Sequence, residues 1–427
     1  MIDTIIEKSS GTEIYLDHAA TTYVDSKVRE AMEPYWEEHY GNPSSLYRIG
    51  REAGQAVAQA RETIAACING KPHEMIFTAG GTESINLAIL GIAAEYLSGS
   101  QKRHVITSAI EHAAVLNCCK VLVGRGYEVS HVAVDNNGII DIEALKRAVR
   151  DDTVLVSIMY ANNEIGSIQP IAEIGQWLAG VNKERVAQGY PRIYFHTDAC
   201  QAGGCLDINV QALGVDMMTI NGSKLYGPKQ TGVLYLKEGI NLTPIIYGGG
   251  QERNLRSGTQ NVPGIVGFTK ALELAQERRK EENKRLQGLR DDFTNRILAE
   301  IPETILNGPR VTGRLANNIN ISFRGVDGAS LLNALDQYGI CVSLGSACAS
   351  KESEPSHVLV AIGCPEDYIG GSIRFTLGQR NTKEQVDFVI DVLKKEVPRL
   401  RQHSAAKGHV QSGSAESTSG ASCIIQH

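Results

Sequence analysis

The sequence lacks any run of apolar residues that approaches the roughly 18 needed for a membrane-spanning helix. Its first ten residues contain no basic segment followed by an apolar stretch, so we expect no secretory signal peptide. Positive charge is not in excess either, because 42 Lys and Arg stand against 48 Asp and Glu, a formal charge of −6. This balance argues against a protein that binds nucleic acid through bulk charge. We therefore expect a cytoplasmic protein without membrane or direct nucleic-acid contacts.

Cysteine and glycine usage adds two expectations. The nine cysteines are scattered and odd in number, and without export they should remain reduced thiols. Glycine is abundant, at 43 of 427 residues, which predicts many tight turns or close approaches of the backbone to a ligand. The length allows one large domain and a smaller one.

Short apolar runs alternate with stretches of helical period through the first 264 residues. The predicted helices are 25–40, 51–68, 82–97, 113–124, 142–150 and 171–188. The predicted strands are 75–78, 104–107, 127–134, 154–159, 193–197, 217–220 and 233–236. Most of these strands are apolar at consecutive positions, which is typical of strands buried on both faces of a sheet. The alternation predicts an α/β fold in which helices flank a mostly parallel central sheet.

The pattern changes after Gly264. A long charged helix over 265–300 precedes predicted strands at 318–323 and 372–376 and predicted helices at 328–337 and 383–396, which together indicate a smaller α+β domain. The tail is rich in Ser, Gly, Ala and His, so we expect it to be disordered. The predicted division is 1–24 as a segment packing with the small domain, 25–264 as the large domain, 265–403 as the small domain and 404–427 as the tail.

Two polar residues at predicted strand ends point to a cofactor. Asp198 follows one buried strand, and Lys224 follows the next strand in a Gly-rich turn. Ligands of α/β sheets bind at this carboxyl edge. A Lys and an Asp in this arrangement suit pyridoxal phosphate (PLP), because the amine forms a Schiff base with the aldehyde and the carboxylate keeps the ring nitrogen protonated. Taken singly, Asp198 is as readily a turn cap, and Lys224 is more often a solvated loop residue.

A phosphate site is predicted where strand 75–78 enters a Gly-Gly-Thr turn and a helix. Small residues such as Gly81 let the backbone approach an anion, and the helix N-terminus, with Thr82, offers N–H groups. A plain helix cap is the alternative. His112, after the next strand, suits stacking on a cofactor ring, and a structural His at a helix start is the alternative.

Cys348 lies in a polar, Gly/Ser-rich segment, whereas a structural Cys usually lies among apolar residues. Lys351 is close enough in sequence to favour the thiolate, so we predict that Cys348 is a reactive nucleophile. Arg374 falls within a predicted buried strand, where an Arg needs an anion. A substrate carboxylate held bidentately and an internal ion pair are both open interpretations.

Ten short motifs occur in an order that resembles one enzyme family. They are 16–22 (LDHAATT), 40–45 (YGNPSS), 81–84 (GTES), 111–112 (EH), 162–166 (NNEIG), Asp198 with Gln201, 224–229 (KLYGPK), 256–259 (RSGT), 345–348 (GSAC) and 372–375 (SIRF). Each motif is weak alone. Together, across roughly residues 14 to 400, the chain resembles a cysteine desulfurase of the NifS/IscS type, within the class V aminotransferase superfamily of PLP fold type I.

The resemblance implies a role for each matching residue. Lys224 would be the Schiff-base lysine and the base for the Cα proton, Cys348 would carry the persulfide, and His112 would stack on the ring as a further catalytic residue. The cofactor-binding set would be Gly81, Thr82, His112, Asn163, Asp198, Gln201, Asn221, Ser223 and Lys224, with Thr259 reaching in from a partner subunit. Asn42 and Arg374 would hold the substrate carboxylate. Family members also hold a [2Fe-2S] cluster transiently through the catalytic Cys, here Cys348.

The implied reaction converts L-cysteine to L-alanine and leaves sulfur on Cys348. A homodimer is implied, as is a sulfur acceptor such as an iron–sulfur scaffold protein or a tRNA thiolation enzyme. One departure concerns the cofactor, because the family usually has Ser-x-His before the lysine and this chain has Asn221-Gly-Ser223. Ser223 brings no imidazolium charge, so a lower PLP affinity or another compensating cation is expected.

Three other functions compete with this interpretation. Selenocysteine lyase, or another class V PLP-dependent transferase, uses the same scaffold, although transamination does not need the thiol of Cys348. A non-catalytic sulfur-transfer scaffold is disfavoured because the expected site residues are retained. A metal site on His196, Cys200 and Cys205 is disfavoured because these residues lack a Cys-x-x-Cys pair.

Overall fold

The computed structural model describes residues 13–96, 103–344 and 355–412, with side chains described through residue 403. The strands are β1 (Ile14–Tyr15), β2 (Met75–Thr78), β3 (Arg103–Ser108), β4 (Tyr127–Val132), β5 (Thr153–Ser157), β6 (Tyr194–Asp198), β7 (Met217–Asn221), β8 (Gly232–Leu236), β9 (Thr304–Leu306), β10 (Asn318–Phe323), β11 (Ile340–Cys341) and β12 (Ser372–Thr376). The helices are α1 (Ser26–Met32), α2 (Pro34–Glu37), α3 (Arg48–Ile68), α4 (Gly81–Ala94), α5 (Ala113–Gly124), α6 (Ile142–Ala148), α7 (Ile171–Ala187), α8 (Val210–Leu213), α9 (Val262–Glu300), α10 (Gly328–Asp336), α11 (His357–Ala361), α12 (Glu366–Ile369) and α13 (Lys383–Ser412).

A seven-stranded sheet forms the centre of the larger part, in the order β2-β8-β7-β6-β5-β3-β4. The strands from β4 through β7 pair in parallel. Strand β8 is antiparallel to both of its neighbours, and residues 222–231 join it to β7 without the crossover helix that a parallel pair needs. The mostly parallel sheet flanked by helices confirms the predicted α/β fold class.

Apolar residues at consecutive strand positions serve two separate cores. Met217 packs into the cluster that also contains α4 and α5, while Met218 packs into the cluster on the other face of the sheet. Successive side chains of a strand point to opposite faces, so both faces of β7 are buried. Because the middle of β7 is covered on both faces, a ligand can reach this part of the sheet only through the polar residues at the strand ends.

A smaller layered region follows along the chain. Strands β12, β10 and β9 form an antiparallel sheet, and β1 near the N-terminus pairs with β11. Helix α9 joins the two regions, since Phe268 lies in a core of the large sheet and Phe293 lies in the core of the small one. The division of the chain into domains stays a prediction.

Short helices α8, α11 and α12 were not predicted, and two predicted stretches differ most from the structure. The stretch 25–40 forms α1 and α2 rather than one helix, and Pro34, which has no backbone N–H to donate, begins the second. Helix α13 extends to Ser412, beyond the predicted helix end at residue 396, and residues 413–427 lie outside the described part, so the disordered tail stays a prediction. No helix within the described ranges is long and apolar enough to cross a membrane.

Candidate active site

The candidate site lies at the carboxyl edge of β6 and β7. Asp198 is the last residue of β6, and Lys224 lies in the 3₁₀ turn that follows β7. These strands are parallel neighbours, so the sheet brings both residues to one edge. This is where open α/β sheets bind ligands.

Asp198 is almost fully buried and is fixed by its own turn. Its Oδ1 accepts a hydrogen bond from Cys200 N at 2.9 Å.

His196 lies two residues before Asp198, and both of its ring nitrogens form hydrogen bonds, one with Ser157 Oγ at 2.9 Å and one with Thr219 Oγ1 at 3.1 Å. Burial lowers the pKa of His196 to about 4. His196 is thus a neutral core residue, and no cluster among the described residues could hold a metal ion.

Lys224 points its amine at the N-terminal segment. Its Nζ donates to the carbonyl of Ala20, and Gln201 Nε2 donates to the neighbouring Ala19 carbonyl at 3.0 Å. Burial lowers the pKa of the Lys224 ammonium, and the positive charge of Arg374 acts in the same direction. A lysine in this setting loses its proton more easily than one in water, which suits both a covalent linkage and proton transfer.

The predicted phosphate turn packs against Cys200, whose backbone N–H Asp198 accepts, and against Asn221 at the end of β7. A Cβ added at Gly81 would lie 2.8 Å from Cys200 Sγ and 3.4 Å from Asn221 Nδ2, so only glycine fits. Asn221 Oδ1 is buried and makes no hydrogen bond among the described residues. The cap residue of α4 is Gly80, which offers no side-chain bond to the first helical N–H groups. The turn therefore presents backbone donors and a small residue at one point, and the unpaired accepting oxygen of Asn221 belongs to the residue packed beside Gly81.

His112 caps α5, since its Nδ1 accepts the backbone N–H of Ala114 at 3.1 Å. This is the structural role that the sequence left open, and stacking on a ring stays a prediction.

The preceding residue, Glu111, has no exposed surface, and its Oε1 accepts hydrogen bonds from Ser108 Oγ at 2.6 Å and from Met159 N at 2.9 Å. Burial raises the pKa of Glu111 to about 8. Sequence reasoning gave Glu111 no role, and its only signal was its place beside His112.

Arg374 forms an internal ion pair on β12. Its Nη2 donates to Asp17 Oδ1 at 2.7 Å and its Nη1 donates to the Asn163 carbonyl at 3.1 Å, and the residue is 2% exposed. The ion-pair interpretation is therefore observed, while binding of a substrate carboxylate stays a prediction. Asp17 was missed because it lies 357 positions away in the chain.

The other predicted residues are dispersed. Asn42 is exposed, and its Oδ1 accepts Ser44 N at 2.9 Å within its own turn. Thr259 lines a cavity of about 190 Å³ together with Thr78 and Arg256. Thr82 is exposed on the first turn of α4.

Ser223 and Cys348 are the two remaining predicted site residues. Ser223 follows β7, and its carbonyl accepts the Thr22 N–H at 2.9 Å. Cys348 lies outside the described residues.

Comparison with known proteins places this geometry in a family. The family model described as aminotransferase class-V matches residues 14–389. The cysteine desulfurase IscS of Dictyoglomus turgidum is 48% identical over 395 residues, covering 92% of this chain and 97% of that protein. The chain belongs to the class-V aminotransferases and, within them, to the cysteine desulfurase family.

Solved structures agree with this assignment. A NifS-like protein superposes with a TM-score of 0.84 at 37% identity, covering 91% of this chain and all of the other. A structure described as SspA in complex with cysteine has a TM-score of 0.72 at 35% identity, covering 86% of this chain and 99% of the other. The resemblance predicted from ten motifs, and with it the enzyme class, is confirmed.

Proposed function

We propose that this cysteine desulfurase uses PLP to convert L-cysteine to L-alanine and passes the sulfur to Cys348. The observation that carries the proposal is the meeting of Lys224, Asp198 and the Gly81 turn at one sheet edge. Three separate segments supply an amine, a carboxylate and an anion-binding turn. A solved relative described as bound to cysteine supports the choice of substrate.

The residues present fit PLP. Asp198 supplies a buried carboxylate for a protonated ring nitrogen, and Gly81 leaves space where a Cβ would collide with Cys200. The orphaned Asn221 Oδ1 is a polar atom that still needs a partner. His112, Asn163, Gln201 and Ser223 are the other residues that we propose to hold the group. When bound, PLP supplies an electron-accepting ring that stabilises negative charge at the substrate Cα.

The chain contributes charge and proton handling around that ring. Lys224, with its lowered pKa, carries the proton between the Cα and its own Nζ. Arg374 is held by Asp17 on one side, and a planar guanidinium accommodates a substrate carboxylate in a second, bidentate contact. Asn42 is proposed to assist that contact. Burial of Asp198 excludes water from its carboxylate, which strengthens its attraction to a cationic ring.

The sulfur step balances without an outside oxidant. The Cys348 thiolate attacks the substrate sulfur, the carbon–sulfur bond of cysteine breaks, and a sulfur–sulfur bond forms on Cys348. The substrate carbon takes up a proton and leaves as L-alanine. A persulfide remains for transfer to an acceptor or for release as sulfide by a reducing thiol.

Assembly and delivery are further parts of the proposal. Thr259, which lines the cavity of about 190 Å³, is proposed to reach the phosphate of a partner subunit in a homodimer. An iron–sulfur scaffold or a tRNA thiolation enzyme is proposed to receive the sulfur, with Cys348 as a transient cluster ligand. A reducing compartment such as the cytoplasm would keep Cys348 free for this role.

One experiment tests the assignment of the nucleophile. Protein loaded with PLP should release sulfide and alanine from L-cysteine in the presence of a reducing thiol. The variant C348S should keep the absorbance of the lysine-bound cofactor and lose sulfide release, whereas C364S, a matched change at a half-buried thiol, should keep both. Sulfide release by C348S at the wild-type rate would show that Cys348 is not the nucleophile.

A further inference from the structure

Helix α11 packs on the large region of the molecule, although it follows strands of the small one. Its buried residues Val358 and Leu359, with Ile362, form a cluster with Ile110, Met159 and Ile165, and every member is at most 7% exposed. None of the α11 residues belongs to the cluster that forms the small core. The helix is therefore docked on the loops that follow β3 and β5.

Ser356 fixes the start of this helix with two hydrogen bonds. Its Oγ donates to Glu164 Oε2 at 2.6 Å and accepts the Leu359 N–H at 3.3 Å. Glu164 is 3% exposed and Ser356 is 9% exposed, so the bond is shielded from water. A short bond to a shielded carboxylate is stronger than one between neutral groups at the surface.

A second contact lies beside the first. His357 Nε2 is 3.0 Å from the carbonyl oxygen of Glu111, and since a carbonyl only accepts, the ring donates. Both anchors are next to proposed site residues along the chain, because Glu111 precedes His112 and Glu164 follows Asn163. The start of α11 is thus tied to the two segments that contain the proposed site residues His112 and Asn163.

Cys348 lies eight positions before Ser356. We propose that Ser356 and Glu164 are positioning residues for sulfur transfer, and that their hydrogen bond sets the fixed point from which Cys348 reaches the substrate sulfur. The proposal rests on Cys348 being the nucleophile. Fixing Ser356 in place lowers the conformational entropy that must be lost when the nucleophile and the substrate meet.

The test separates sulfur transfer from the earlier steps. Holoenzyme is mixed with L-cysteine in single turnover, the cofactor spectrum reports substrate engagement, and trapping of the persulfide on Cys348 reports transfer. For S356A we expect persulfide formation to slow by about ten- to a hundredfold, the range for loss of a hydrogen bond to a charged group, with the spectral response near that of the wild type. S356T retains a hydroxyl and should restore most of the rate.

Two further variants guard against a trivial folding defect. E164Q keeps the shape and an accepting oxygen but loses the charge, so we expect a loss of several-fold. The double variant S356A/E164Q should be no slower than S356A, because E164Q weakens only the bond that S356A already removes. S330A is the matched control, since Ser330 Oγ donates to Asp327 Oδ2 at 2.6 Å in the first turn of α10, and it should behave as the wild type.

Three results would overturn the inference. These are a persulfide rate for S356A within about threefold of the wild type, equal slowing of the spectral response and of persulfide formation, or additive effects in the double variant. Absence of a persulfide in the wild type itself would instead refute the proposed function.

Discussion

Replacing Glu111 with Gln tests whether a buried carboxyl beside the candidate site carries a proton at neutral pH. Glu111 has no exposed surface, and its Oε1 accepts hydrogen bonds from Ser108 Oγ and Met159 N. The amide oxygen of Gln can accept the same two bonds. The substitution therefore removes the titration and keeps the shape of the side chain.

The magnitude follows from the shift in pKa. Burial raises the pKa of Glu111 from its ordinary 4.5 to about 8. Between these values the folded protein holds a proton that the unfolded chain has lost, so the contribution of Glu111 to stability falls as pH rises. At about 1.4 kcal/mol per pH unit, the wild type is destabilised by about 3 kcal/mol at neutral pH relative to acid conditions. E111Q escapes this penalty.

The assay is urea unfolding of both proteins between about pH 5 and pH 8. The free energy of unfolding of E111Q minus that of the wild type should increase by about 3 kcal/mol across most of this range. An infrared band of a protonated carboxyl should be present in the wild type, absent from E111Q, and lost with a midpoint near 8. E281Q, on an exposed position of α9, is the control. A stability difference that does not change with pH would refute the reasoning.

Three other substitutions test the cofactor and substrate sites. In steady-state kinetics, R374K should raise KM for L-cysteine by about tenfold or more and change kcat less. The reason is that Lys cannot hold a carboxylate and Asp17 in one plane. Equal KM values for R374K and the wild type would refute contact between Arg374 and the substrate. In a fluorescence titration, G81A should weaken PLP binding by about ten- to a hundredfold, since the new Cβ meets Cys200. The double variant G81A/C200A should recover PLP affinity. Tight PLP binding by G81A alone would contradict the packing argument. S223A should raise the Kd for PLP by about tenfold, and a small change would show that Ser223 does not replace the missing His.

Local pattern was sufficient to place the elements that build the site. Strands β2, β10 and β12 have the predicted bounds, and β6 and β7 differ by one residue at their ends. A strand that is buried on both faces appears in the sequence as a run of consecutive apolar residues, and a polar residue directly after such a run lies at the edge of the sheet. For this reason Asp198 and Lys224 could be assigned to one edge before any contact was known.

Contacts between distant segments could not be predicted in the same way. The pairing of Arg374 with Asp17, the packing of Cys200 on Gly81 and the bond from Ser356 to Glu164 each join parts of the chain that no period relates. Sequence shows that Arg374 needs an anion, but not which anion packing brings to it.

The chain alone therefore determined the fold class, the family and the chemical types at the site, because periodicity and motif order are local properties. Tertiary structure was needed to show that Glu111 is fully buried, which raises its pKa, and that α11 is docked on the loop that contains Glu111. Both features arise from desolvation and shape complementarity, which exist only once separate segments have packed together.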